Sequence, residues 1–319
     1  MRSKCHMKYF ISLFVICIGI AILVVHWPFD NTQLPQVEQI IATSSIPEIA
    51  TTTIATTTEI IEPVIKPFTI LLVPGHDALF GGAAYKNINE RDLAVEISDN
   101  IASILYGETD YRVIVARSTT TWNPILQDYF DSNKQAIIDF KNAKQAEEKA
   151  LLKSGEKKYV ADIADHSDAT PRSSVQLYGM NKWSNENDVD LIIHIHFNDS
   201  WRKNMALPGG FKGFSIYVPE RQMINSSTSI AIAENIFDEL KTILTPEIVG
   251  NRKNSLIEDQ SLIAVGASGT LNKPGMLIEY GYIYEKPLRT AVDRENMLKL
   301  MAEKTVLGIK NYVKIKDNE

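Results

Sequence analysis

Cysteine is nearly absent from this chain. Only Cys5 and Cys17 occur in 319 residues, and both lie close to the N-terminus. The remainder can form neither a disulfide framework nor a thiol nucleophile. Basic charge is not in excess either: 33 Lys and Arg stand against 39 Asp and Glu, for a net charge of −6. No basic stripe is visible, which argues against nucleic acid as a partner. A glycine-rich phosphate loop is missing, and Gly266-Ala267-Ser268-Gly269 does not have the pattern of a nucleophile elbow. Nor is there an internal repeat.

Arg2, Lys4 and Lys8 precede an uncharged apolar stretch from Tyr9 to Val25, with Trp27 just beyond it. That length is at the lower end of what spans a bilayer. The preceding positive charges keep the N-terminus in the cytoplasm and send the rest across. His-Trp-Pro-Phe-Asp follows, rather than a small-residue cleavage site, which predicts a retained anchor. Residues 1–8 are thus expected to be cytoplasmic, 9–27 a transmembrane helix and 28–66 a Thr/Pro-rich linker, including Thr51-Thr52-Thr53 and Thr56-Thr57-Thr58. Residues 67–319 form the folded, extracytoplasmic part.

Within it, Phe68 to Val73 is a β-branched apolar run ending in Pro74-Gly75, which predicts a buried strand opening into a loop. A helix follows from Glu90 to about Tyr106, with Asn89 as its expected N-cap and Leu93, Ile97, Ile101, Ile104 and Leu105 on one face. Tyr111 to Ala116 is a second strand, completing a βαβ unit. Further strands are expected over Asp190–Phe197, Gly213–Val218, Leu262–Val265 and Met276–Glu279. Helices are expected over Ser173–Trp183, Ser227–Leu244 and from about Arg294 to Tyr312. Residues 119–171 read as a helical insertion at the surface, because Ile137 to Leu152 has good helix formers and little apolar face. As a lid it would need an activating partner; as a solvated excursion it would not. His166, among Asp and Ser in this insertion, reads as a surface residue. The pattern predicts a three-layer α/β/α domain with a mostly parallel or mixed central sheet.

The polar residues at the strand ends carry the chemistry. His76 follows the first strand, Glu90 starts the next helix, His194 and His196 share one face of a later strand, and Glu279 ends another. A catalytic zinc needs three protein ligands and an open position. His76, Glu90 and one of the His194/His196 pair would supply the ligands, leaving the other histidine to line the pocket and Glu279 as a general base.

Pro74-Gly75-His76, Glu90-Arg91-Asp92-Leu93, His196-Phe197-Asn198 and Leu277-Ile278-Glu279-Tyr280-Gly281 together resemble, in order and spacing, the zinc-dependent N-acetylmuramoyl-L-alanine amidases. The resemblance spans roughly Phe68 to Tyr312, apart from the insertion. It implies zinc bound by His76, Glu90 and His196, catalysis by Glu279, and substrate contacts from Asn198 and His194. It also implies peptidoglycan as substrate, in cell-wall remodelling or daughter-cell separation, at the membrane of a bacterial envelope. The chain departs from the family pattern at Val73 (usually aspartate), Asp77 (commonly glycine), His194 (serine) and Tyr282 (phenylalanine). Two other readings use the same residues: a non-catalytic peptidoglycan-binding module, and a zinc peptidase or deacylase acting on another amide.

Overall fold

The computed structural model describes residues 66–77, 79–160, 169–248 and 255–316. The chain separates into units 1–61 and 62–319, and the described residues belong to the second. The expected membrane span, the linker up to residue 65 and His166 lie outside the described residues. Among the described residues, no helix is long and apolar enough to cross a membrane.

In chain order the elements are β1 (Phe68–Pro74), β2 (Ala84–Tyr85), β3 (Ile88–Asn89), α1 (Glu90–Leu105), β4 (Tyr111–Val115), α2 (Pro124–Ser132), α3 (Lys134–Ser154), α4 (Pro171–Glu186), β5 (Leu191–Asn198), β6 (Ser215–Pro219), α5 (Ser226–Leu240), β7 (Leu256–Asp259), β8 (Gly275–Tyr282) and α6 (Ala291–Lys316). A mixed six-stranded sheet runs in the order β4-β1-β5-β8-β6-β7. The β4, β1, β5 and β8 strands are mutually parallel, β6 is antiparallel to β8, and β7 is parallel to β6. From β1 the chain moves outward to β4 and then returns to β5 on the other side of β1. The sheet therefore switches direction between β1 and β5, where α/β sheets open a crevice at their strand ends.

Strand alternation divides the side chains between two faces. On one face Ile70, Leu72, Ile193, Ile195 and Ile278 pack against α1, α5 and α6 in the main core. On the other, Leu71, Val73 and Ile192 pack against α2 and α4. The arrangement is the expected three-layer one, and the sheet is mixed. Leu93, Ala94, Ile97, Ile101 and Leu105 form the buried stripe of α1; Ile104, expected on the same face, is exposed at its edge. A fully buried side chain of this kind is worth about 1.5–3 kcal/mol.

Two expectations need correction, and a third is met in position only. The 119–171 insertion is not simply a surface excursion: Leu126, Phe130 and Ile137 are buried in the second core with Tyr178 and Trp183. The apolar positions of α2 and the start of α3 are too few for a clear period, yet each fills the sheet's second face. Leu262–Val265 is not a strand; Ile263–Val265 is a turn of 3₁₀-helix. The strand is Leu256–Asp259, and the Asp259 carboxylate ends it by accepting from the backbone N–H groups of Ser261 and Leu262. Asn89 occupies the N-cap position of α1, but its side chain makes no cap hydrogen bond. It donates instead to Asp92 at 3.3 Å.

Candidate metal centre

The switch between β1 and β5 brings His76, Glu90 and His196 together. His76 leaves the end of β1 with φ 63°. Glu90 is the first residue of α1, and His196 points from β5 towards the second face. His76 Nε2 lies 2.8 Å from Glu90 Oε2, and His196 Nδ1 lies 2.9 Å from Glu90 Oε1. One ligand atom from each residue falls within 4.8 Å of the others. The two imidazole rings meet edge to face, with centroids 5.1 Å apart.

Backbone groups hold the Glu90 carboxylate from the other side. Ala83 N–H donates to Oε2 at 2.7 Å and Phe197 N–H to Oε1 at 3.1 Å. Burial alone would raise the Glu90 pKa, but hydrogen bonds from His196 and His76, reinforced by their charge, hold it far below the ordinary carboxylate range. The carboxylate is therefore anionic at neutral pH.

Two glycines make the cradle possible. A Cβ on Gly82 would sit 2.3 Å from Glu90 Oε2 and 2.3 Å from His76 Cδ2, and a Cβ on Gly75 would sit 2.5 Å from His196 Cε1. The two nitrogen donors and one anionic oxygen donor, converging within 4.8 Å beside two glycines, fit a zinc-type divalent ion.

His196 pairs with Glu279 across β5 and β8, and Glu279 in turn pairs with Ser215 of β6. Glu279 is buried, and that burial raises its pKa well above the ordinary value; the charges of Glu90 and Glu247 add to the shift. His194 lies two residues before His196 on the same face, between Val73 and Leu277 in register. It is buried, and its Nε2 has no hydrogen-bond partner among the described residues. Burial, then the charge of His196, pushes its pKa down to about 3, so the ring is neutral. Asn198 is buried beyond a shift in the β5–β8 register.

A cavity of about 510 Å³ joins these groups. His76, Glu90, His194, His196, Asn198 and Glu279 all line it, with apolar walls from Trp122, Leu177, Met180, Ile263 and Leu277. The 4.8 Å ligand cluster is formed by His76, Glu90 and His196; His194 is not part of it.

Sequence reasoning missed Arg117. Its buried guanidinium donates to the carbonyls of Pro74 at 3.1 Å and Arg91 at 3.2 Å, and also to that of Gly75. It thus braces the turn that carries His76 and the first turn of α1. Burial lowers its pKa to about 10, which leaves it a cation at neutral pH. The only sequence signal was an arginine directly after an apolar strand, a common sight. Asp77 closes the loop beyond His76, where its Oδ1 accepts from the N–H groups of Leu79 at 2.8 Å and Phe80 at 2.9 Å. Glu247 was missed as well. It is buried against Ser215 and the Tyr282 hydroxyl.

Residues 70–311 match the family described as N-acetylmuramoyl-L-alanine amidase. Among solved structures, the chain resembles the CwlD amidase of Clostridioides difficile, which was solved in complex with the GerS lipoprotein. The identity is 16% and the TM-score 0.51, with 77% of this chain and 98% of that one covered. It also resembles an N-acetylmuramyl-L-alanine amidase of Mycobacterium smegmatis at 13% identity and TM-score 0.50, covering 78% of this chain and 98% of that one. These likenesses concern the fold. No curated protein matches the chain.

Proposed function

The chain belongs to the N-acetylmuramoyl-L-alanine amidase family, and we propose that it is a membrane-anchored zinc enzyme cleaving the amide between the N-acetylmuramoyl lactyl group and L-alanine in peptidoglycan. The reading rests on one observation above others. Ligand atoms of His76, Glu90 and His196 converge within 4.8 Å of one another, level with Glu279 on the adjoining strand.

Zinc held by these three residues would supply Lewis-acid polarisation of the scissile carbonyl and a more acidic water. The chain's own groups handle the protons and the substrate. Glu279 takes a proton from the attacking water and returns it to the departing alanine nitrogen. Burial raises the Glu279 pKa, which makes its carboxylate a stronger proton acceptor than an ordinary one. Asn198 and neutral His194 offer hydrogen bonds to the substrate from the cavity wall. Leu177, Met180 and Leu277 keep that wall apolar and limit water. Arg117 holds the His76 turn in position.

Residues 9–27 would anchor the protein, with residues 28–66 as a tether and the catalytic domain outside the cytoplasm. A protein activator would engage the outward side of the 119–171 insertion; the similar C. difficile amidase was solved with a lipoprotein partner.

The test incubates the full-length protein with purified peptidoglycan, with zinc or with chelator, and identifies new ends by mass spectrometry. Free L-alanine amino termini on intact stem peptides, lost with chelator, are the expected result. Zinc bound at one per chain without this cleavage would favour another amide substrate. Neither zinc nor cleavage would favour a binding module.

A further inference from the structure

The loop from Asp199 to Lys212, which joins β5 to β6, is built inside out. Some of its polar groups, those of Ser200 and Arg202, turn inward. The Arg202 guanidinium contacts the Asp199 carboxylate, donates to the Ser200 carbonyl at 2.8 Å, and lies 4.6 Å from the centre of the Tyr284 ring. Ser200 Oγ and the Tyr284 hydroxyl are 2.7 Å apart. Gly209 packs so closely that a Cβ there would sit 2.4 Å from that hydroxyl. The loop is braced at both ends, since Gly213 N–H donates to Glu285 at 2.9 Å. Its large apolar groups turn outward instead: Trp201 is 87% exposed, Phe211 64% and Leu207 59%. Exposed apolar groups gathered on one braced segment mark an interaction surface.

Two features indicate the occupant. First, the loop continues the cleft. Asn198 and Asp199 line the cavity, and Trp201 is only two residues on, about 7 Å along extended chain. Second, the Phe211 ring does not project freely. It lies on Tyr282 at 6.1 Å between centroids and 24° between planes, with one side supported and the other open. Exposed Lys203, Asn204 and Lys212 are interspersed. A flat ring backed from below at Phe211, an exposed indole at Trp201 close to the cleft, and polar donors between them suit the alternating C–H and hydroxyl surface of a sugar.

We propose that this loop is a saccharide platform, on which Trp201 and Phe211 stack against the glycan strand on the acyl side of the scissile amide. The proposal rests on the amidase reading, because in that substrate the acyl group is itself attached to a sugar. Any bound substrate must then carry its glycan across the rim of the cleft. A binding assay that requires no hydrolysis separates the two ideas.

The experiment uses the full-length protein and peptide-free glycan chains prepared from peptidoglycan. In the Trp201→Ala/Phe211→Ala double variant, glycan affinity should fall at least about tenfold, the usual effect of removing aromatic anchors. Trp201→Tyr should recover most of it. On intact peptidoglycan, KM should rise by a similar factor while kcat holds. Both side chains are exposed, so an unchanged melting temperature is expected. Unchanged glycan affinity overturns the proposal. So does loss of binding to anionic lipid vesicles with glycan affinity intact, which would make the loop a membrane contact. If the wild-type protein binds glycan through these residues but cleaves no amide, the platform stands and the amidase reading falls.

Discussion

Gly82→Ala isolates the geometry of the proposed metal site. Gly82 has φ +71°, and its added Cβ would lie 2.3 Å from both Glu90 Oε2 and His76 Cδ2. Non-bonded carbons settle at about 3.5–4.0 Å, so the ligands would have to give way by roughly 1 Å or more. Metal sites tolerate only about 0.2 Å of error in ligand distances. The expected result is a loss of zinc affinity of at least about 100-fold. The backbone alone contributes a second effect, about 1–3 kcal/mol of strain for an L-residue held in this conformation. Gly107→Ala supplies the control. It has φ +88° with nothing within 4 Å of the added Cβ, so it carries the strain without the collision. Zinc affinity would be measured by competition with a chromogenic chelator, and stability by urea unfolding. Both variants should lose similar stability, and only Gly82→Ala should lose zinc. Wild-type zinc affinity in Gly82→Ala would refute the assignment of His76 and Glu90 as joint ligands.

Other perturbations test the remaining parts. Glu279→Gln should retain zinc but lose about 10²–10⁴-fold in peptidoglycan hydrolysis; activity within a few-fold of wild type would remove Glu279 from its role. Phe130→Ala should cost about 3–5 kcal/mol in urea unfolding, because Phe130 is buried in the second core. For the same reason, deletion of residues 128–168 should unfold the domain rather than relieve inhibition, as circular dichroism would reveal. His194 has a folded-state pKa of about 3 against an ordinary value of 6.5. As pH falls below 6.5, the unfolded chain takes up this proton and the folded chain does not, so stability declines down to about pH 3. At pH 5 the His194 share is about 2 kcal/mol. His194→Ser should flatten unfolding free energy between pH 7 and pH 5, and an unchanged slope would contradict the burial argument.

The sheet's central strands were legible because burial on both sides demands long apolar runs, as in Phe68–Val73 and Leu191–Phe197. Two of the candidate ligands were legible for a related reason: His76 and His196 sit at or near the ends of such runs, whereas Glu90 opens a helix. Edge and insertion elements were harder. Leu256–Asp259 is four residues long with two carboxylates, too short to display a period. Leu126, Phe130 and Ile137 complete a core mostly built by other segments, so their local sequence looks polar. Arg117 acts through backbone carbonyls, which are identical at every residue and leave no mark on the sequence of their partners. The aromatic chain from Tyr85 through Tyr284 and Tyr282 to Phe211 brings together residues from three separated segments.

Arg117 also affects how the site forms. It lies two residues beyond β4, the outermost strand on its side of the sheet, yet it grips the backbone at the centre. The His76 turn is therefore complete only after β4 has zipped onto β1, and fraying of that edge withdraws the brace. An outer strand, usually the most dispensable part of an α/β sheet, here works as a latch. Hydrogen exchange along β4 would consequently report on the integrity of a site to which the strand itself contributes no ligand.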